Sequence, residues 1–133
     1  MGPTLVQSAY LYLNAALYAG FAAWCTLSAA KTSENLGYLA LSQGGRSEYL
    51  VIYGGLQWGL AAMFYLLAGH ADLRRTGLAF AVSLYTPIVV YRVVTVVRYW
   101  PVAPLTLATG CLELGLLVAG ALFFAGTKSM TLP

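Results

Sequence analysis

Four long apolar runs limit what this chain can fold into more than any other feature of its sequence. They cover roughly residues 4–30, 48–70, 77–98 and 104–126. Each run is near the ~20 residues that a helix needs to cross ~30 Å of hydrocarbon. A transmembrane strand would be shorter and would alternate polar with apolar residues, a pattern that these runs lack. The runs therefore predict an all-α fold, an integral membrane four-helix bundle with four transmembrane helices.

Composition supports the same fold class. Hydrophobic residues make up 60% of the 133 positions and charged residues only 8%, with a mean hydropathy of +0.75. These values lie outside the range of soluble domains. The longest expected connection, 31–47, leaves no room for a soluble domain, so a single domain is predicted over 1–133. The segment before the first run lacks Lys and Arg, which favours a transmembrane helix over a signal peptide.

The chain is poor in the residue types that hold metals or perform catalysis. Cys25 and Cys111 lie in apolar runs without a Cys-x-x-Cys spacing, and His70 is the single histidine. A structural zinc site needs four such ligands. We therefore expect no metal, no cofactor and no catalytic residues, which makes an enzyme the least supported class. The net charge of +3 is not gathered in a basic stripe, so nucleic acid is not an expected partner.

Two charged residues lie inside apolar runs: Arg92 in the third and Glu113 in the fourth. A charge at bilayer depth costs at least about 2.5–3.5 kcal/mol, so such residues usually face the protein interior and pair. At ~1.5 Å of rise per residue, both lie roughly 9–14 Å from the same end of their helices. The sequence therefore predicts that Arg92 and Glu113 meet. The pair is compatible with a ligand site and equally with a purely structural tie between two helices.

Polar residues at helical spacing indicate which faces of the helices meet. The stripes are Gln7, Tyr10, Asn14 and Tyr18 in the first run; Tyr49, Tyr53 and Gln57 in the second; Tyr85, Arg92, Thr95 and Tyr99 in the third; and Thr106, Thr109, Gly110, Glu113 and Gly120 in the fourth. From these stripes we predict a polar centre formed by Arg92, Glu113, Gln57 and Tyr53.

Further residues are expected around this centre. Arg46 and Glu48 are placed at its entrance, together with Arg98, and Asn14 and Tyr85 complete the candidate ligand-binding set. Gly55 and Gly59 form a Gly-x-x-x-Gly spacing, which predicts the close approach of another helix.

Orientation depends on the basic residues outside the runs. Three lie on each side: Arg74, Arg75 and Lys128 on the side of the termini, and Lys31, Arg46 and Arg98 on the other. The positive-inside rule counts Lys and Arg in short loops most strongly. Because Arg74 and Arg75 share a very short loop, while Arg46 is expected to pair with Glu48, we predict that both termini are cytoplasmic.

The segment Gly45–Gln57, GRSEYLVIYGGLQ, resembles a known family. An acidic residue shortly before a Tyr-Gly-Gly-x-Gln motif is similar to the second helix of the bacterial membrane family called domain of unknown function 4345. Tyr91-Arg92 and Leu112-Glu113-Leu114 are similar to its third and fourth helices. The resemblance implies a four-helix protein of the bacterial inner membrane, loosely like DoxX-type bundles, without an activity established for the family.

Three functional classes remain open. The first is a bundle that binds a small polar or amphipathic ligand such as a lipid, a quinone or a small acid. The second is a dimeric, proton-coupled transporter of small molecules in which Glu113 carries the proton. The third is an accessory or structural subunit of a larger membrane complex, docked through its glycine and aromatic surface. The expected partners are membrane lipids together with a small molecule, a second copy of the chain or a larger complex.

Overall fold

The computed structural model describes residues 2–128, and every regular element in this range is helical. The elements are α1 (Pro3–Leu27), α2 (Ala29–Asn35), α3 (Gln43–Leu50), α4 (Leu56–Gly69), α5 (Arg74–Arg98) and α6 (Pro104–Lys128). A π-helical segment, Val51–Gly55, joins α3 to α4, and a 3₁₀ turn, Ala71–Leu73, precedes α5. The predicted all-α class is confirmed.

The helices have the length and composition that a membrane span requires. Three continuous stretches qualify on their own, namely Gln43–Gly69, Ala71–Arg98 and Pro104–Thr127. The first run qualifies as a broken helix, Thr4–Leu27 followed by Ala29–Asn35, with a bend of 112° between its two parts. Residues 2–128 therefore contain three helices apolar and long enough to cross a membrane, or four with the broken one included.

The first two helices differ in extent from the sequence-based prediction. The helix expected over 4–30 ends at Leu27, because Ser28 leaves the helical conformation and α2 turns away from it. The second helix starts at Gln43 rather than 48, since the Ser42 hydroxyl caps it by accepting a 3.1 Å hydrogen bond from the Gly45 amide. The predicted connection 31–47 thus contains most of α2 and the start of α3. The last two helices agree with prediction within three residues.

The long helices form two antiparallel pairs, α1 with α4 and α5 with α6. The pairs meet around a buried cluster formed mainly by Tyr10, Leu11, Phe64, Leu78 and Ala81. We call this part of the bundle, which lies toward the start of α1 and the end of α6, the closed half. The Tyr10 hydroxyl fastens the two pairs together by donating a 2.7 Å hydrogen bond to the Leu116 carbonyl. The half nearer α2 and the α5–α6 turn is the open half.

Glycines permit the close approach of the pairs in the closed half. A methyl group at Gly77 would lie 2.8 Å from the Leu11 Cδ1 atom and 3.1 Å from the Leu67 Cβ atom. One at Gly120 would lie 2.6 Å from the Tyr10 hydroxyl oxygen. The predicted close approach of another helix at Gly55 and Gly59 is wrong within the described part of this chain. A methyl group at either position would have no other atom within 4 Å. Both of those glycines face outward.

We expect Gly77→Ala to destabilise the bundle and Gly59→Ala not to. The new methyl at position 77 would overlap fully buried Leu11, and such overpacking costs about 1–3 kcal/mol. At position 59 there is open space, and alanine favours a helix over glycine by up to ~1 kcal/mol. Thermal unfolding of both variants in the same detergent measures the difference. A Gly77→Ala protein as stable as the Gly59→Ala protein would contradict the role given to Gly77.

Candidate functional site

A cavity of about 860 Å³ separates the two helix pairs in the open half. All four long helices contribute to its wall, and the segment Leu36–Tyr38 after α2 lines it as well. Its polar lining residues are Tyr18, Tyr38, Tyr53, Gln57, Tyr85, Arg92, Thr106, Thr109 and Glu113. The remaining wall is mainly aliphatic and aromatic, with Leu17, Phe21, Trp24, Leu60, Leu84, Ile88, Leu112 and Leu116 among its members. The cavity is therefore apolar with a limited set of polar groups.

Arg92 and Glu113 form a bidentate ion pair on this wall. The Arg92 Nε atom donates to Glu113 Oε2 at 2.9 Å, and Nη2 donates to Oε1 at 2.8 Å. The side chains are 31% and 15% exposed. The predicted meeting of the two residues is thus confirmed, and the contact is direct. Two parallel charge-assisted bonds also fix the plane of the guanidinium group.

Gly110 makes room for this pair. It lies one helical turn before Glu113, and a methyl group there would be 3.1 Å from the Arg92 Cγ atom and 3.4 Å from Cδ. The aliphatic part of Arg92 therefore lies against the bare backbone of α6 on its way to the carboxylate. Thr109, beside Gly110, turns its hydroxyl back to the Leu105 carbonyl at 2.8 Å, so its donor is already used within the helix.

The Tyr-Gly-Gly-x-Gln motif coincides with the π-helical segment and the first turn of α4. Tyr53 and Gln57 line the cavity, as predicted. Gly54 is buried against α1, where a methyl group would lie 2.9 Å from the Thr26 hydroxyl oxygen. The Gln57 amide nitrogen donates to the Ile52 carbonyl at 3.3 Å. Such π-turns recur at functional sites, and here one brings two polar side chains to the cavity wall.

Three tyrosines cluster where the cavity meets α2. Tyr49 is buried, and its hydroxyl donates to the Thr32 hydroxyl at 2.8 Å, which holds α2 against α3. The ring of Tyr53 stacks on that of Tyr49 at 4.6 Å between centroids. The Tyr38 and Tyr53 hydroxyls share a 3.0 Å hydrogen bond. The segment after α2 is thereby attached to the cavity rim through a polar contact.

Asn14 and Tyr85 act together, but only Tyr85 reaches the cavity. Asn14 is fully buried and does not line the wall. Its Oδ1 atom accepts a 2.6 Å hydrogen bond from the Tyr85 hydroxyl, and its Nδ2 atom donates to the Tyr10 carbonyl at 2.8 Å. Asn14 is therefore a positioning residue that orients Tyr85, and the prediction that it contacts a ligand needs this correction.

Arg46 and Glu48 lie outside the cavity, contrary to their predicted place at its entrance. Both are exposed, and Glu48 is turned outward because its neighbour Tyr49 is buried against α1 and α2. Arg46 instead borders a small separate hollow of about 190 Å³ beside Glu34. Among residues 2–128 no ion pair joins Arg46 to Glu48. Arg98 is also absent from the wall, and its guanidinium group lies over the ring of Tyr99.

Sequence reasoning missed several residues of the wall. Tyr18 belonged to the polar stripe of the first run, and Thr106 and Thr109 to that of the fourth, so the signal was present. Tyr38 carried no such signal, because it follows a bend whose position depends on tertiary contacts.

The wall offers hydrogen-bond donors and aromatic rings. Within the described part of the chain, no three His, Cys, Asp or Glu side chains are grouped to hold a metal.

No family model, curated protein or solved structure matches this chain. The resemblance to the bacterial family with the Tyr-Gly-Gly-x-Gln motif therefore stays a prediction.

We expect Glu113→Gln to destabilise the bundle more than the double variant Arg92→Met, Glu113→Leu. The single change leaves the partly buried Arg92 without its counter-charge, whereas the double change removes both charges and keeps apolar volume. Breaking one side of a buried pair costs about 3–5 kcal/mol. The partial exposure of Arg92 reduces the expected loss to about 2 kcal/mol. The double variant is expected to stay within about 1 kcal/mol of the unsubstituted protein.

Thermal or denaturant unfolding in one detergent provides the comparison. Glu48→Gln is the matched control, since it neutralises an exposed carboxylate that does not line the cavity. Equal losses in the single and double variants would show that the charge pair does not determine the difference.

Proposed function

We propose that this protein is an integral membrane protein that spans the bilayer with four helices and binds one small amphipathic ligand in the cavity of its open half. The observation that carries the proposal is the direct Arg92–Glu113 pair on the wall of a large and otherwise mainly apolar cavity. Ionisable groups at bilayer depth mark functional sites by default. A structural tie alone would need no cavity beside it.

Size and lining support a ligand of this kind. Sites for small molecules occupy about 300–1,000 Å³, are mostly apolar, and carry a few placed polar groups. The cavity of about 860 Å³ lies in that range. Its polar groups would receive a head group, while Leu60, Leu84 and Ile88 offer a surface for an apolar tail. An amphipathic ligand dissolves in the lipid of the proposed membrane, so it could enter the cavity from the bilayer.

The ion-pair geometry favours binding over proton-coupled transport. Both carboxylate oxygens of Glu113 accept hydrogen bonds from Arg92. A transport cycle through Glu113 would have to break this bidentate, charge-assisted pair at every turnover. The accessory-subunit alternative rests on the outward faces, where Gly55 and Gly59 and the exposed Trp58 and Tyr65 could contact lipid or a partner equally well.

We further propose that the termini lie on the cytoplasmic side of a bacterial inner membrane. The support is the pair of positive charges at the start of α5, since Arg74 and Arg75 lie at the same end of the bundle as the start of α1. The test introduces a cysteine at residue 72 or at residue 39 in a Cys111→Ser background, in which the remaining Cys25 is buried. Reaction with an impermeant thiol reagent in intact cells would then test the orientation. Labelling at residue 72 rather than residue 39 would contradict it.

The binding proposal predicts that Gly20→Phe abolishes ligand binding and that Gly59→Phe does not. Gly20 lines the cavity with open space beyond its Cα atom, so a phenyl ring there occupies ligand volume. Gly59 also has open space but faces outward. Native mass spectrometry of each protein, gently extracted from its membrane, would detect a co-purifying molecule. The unsubstituted protein and Gly59→Phe should retain it, and Gly20→Phe should lack it.

A bare protein in every case, or a molecule retained equally by Gly20→Phe, would contradict ligand binding in this cavity. Co-purification of a partner chain with a bare cavity would favour the accessory-subunit reading.

A further inference from the structure

The cavity wall contains one cation and one anion, and they neutralise each other. Among the lining residues in the described part of the chain, only Arg92 and Glu113 carry charge, and they are joined by two hydrogen bonds. Glu48 lies five residues before the wall residue Tyr53, and Arg98 lies six residues after Arg92, but neither side chain lines the cavity. The site therefore presents no uncompensated charge to a ligand.

The wall nevertheless offers hydrogen-bond donors. Glu113 occupies the Nε and Nη2 groups of Arg92, which leaves the Nη1 group free of the carboxylate. The Gln57 amide uses one of its two N–H groups for the Ile52 carbonyl and keeps the other. The Tyr38 and Tyr53 hydroxyls share a single bond between them, so one of their two O–H groups is available. Acceptor oxygens of a ligand would satisfy these donors.

Aromatic side chains flank the same part of the wall. Phe21, Tyr38 and Tyr53 lie around it with ring centroids 6.3 Å apart for both Phe21–Tyr53 and Tyr38–Tyr53. The Tyr18 and Tyr85 rings continue the lining, stacked at 6.5 Å. Rings arranged in this way favour a planar, ring-bearing head group, because offset and edge-to-face contacts between rings are attractive.

We propose that the ligand is a neutral amphipath whose head group is a planar ring bearing carbonyl oxygens, the chemistry of a quinone, rather than a small acid or an anionic lipid. This inference rests on the proposed function of the cavity. A carbonyl oxygen accepts a charge-assisted hydrogen bond from Arg92 without disturbing its ion pair. A carboxylate or phosphate would bring a net charge into an apolar site in which the positive charge is already compensated, and burial of an unpaired charge is costly.

The test compares the affinities of three probes with similar alkyl tails for the purified protein in one detergent. Decylbenzoquinone is neutral and carries a carbonyl ring, monolaurin is neutral and lacks a ring, and laurate is an anion. Titration followed by native mass spectrometry gives the dissociation constants. We expect decylbenzoquinone to bind at least tenfold more tightly than either of the other two.

The Glu113→Gln variant tests the charge argument directly. Loss of the carboxylate leaves Arg92 uncompensated, so the affinity for laurate should rise at least tenfold while that for decylbenzoquinone changes less. Glu48→Gln removes an exposed carboxylate instead and should leave all three affinities unchanged. The comparison of probes on the unsubstituted protein does not depend on whether the Glu113→Gln variant folds.

The outcomes separate this inference from the function on which it rests. If laurate binds as tightly as decylbenzoquinone, the inference of a neutral head group is wrong, but the proposal of a ligand site in the cavity is supported. Monolaurin binding as tight as decylbenzoquinone binding would overturn the ring. Binding of no probe by a protein that also carries no co-purifying molecule would overturn both the inference and the proposed function.

Discussion

The close approach of the two helix pairs at Gly77 and Gly120 is the contact on which the rest of the structure depends. It brings Leu11 and Tyr10 of α1 against α5 and α6 and lets the Tyr10 hydroxyl reach the Leu116 carbonyl. Since the pairs meet in the closed half, their other halves can stay apart without loss of the core. The cavity is thus a direct consequence of where the glycines lie.

The ion pair does not hold the cavity together. Arg92 and Glu113 belong to α5 and α6, which already form one helix pair, so their hydrogen bonds lie within that pair and do not cross the open space. The width of the cavity is fixed elsewhere, by the contacts between the two helix pairs in the closed half. A charged group on the wall can therefore serve recognition, because the fold does not use it as a bridge between the pairs.

Sequence patterns predicted the helices and the central pair because both depend on local spacing. Apolar runs of sufficient length indicate helices, and equal depth in adjacent helices placed Arg92 beside Glu113. The start of α3 depends on the Ser42 cap, and the outward direction of Glu48 depends on the burial of Tyr49 against α1 and α2. The spacing of apolar residues shows neither of these, and it does not show the bend at Ser28. The glycine contacts could not be predicted from spacing either. The Gly-x-x-x-Gly spacing at Gly55 and Gly59 is typical of helix contacts, but the close contacts occur at Gly77 and Gly120, which are not part of such a motif.

The π-helical segment has a consequence for how this helix tolerates changes in length. Tyr49 and Gln57 are eight residues apart, which in a regular α-helix would turn their side chains about 80° away from each other, at ~3.6 residues per turn. The wider π-turn takes up about one extra residue and restores a common side. A chain that lacked one residue between positions 51 and 55 would reach the same alignment with an uninterrupted α-helix. The π-turn therefore lets this span gain or lose one residue while α3 and α4 keep facing the same neighbouring helices.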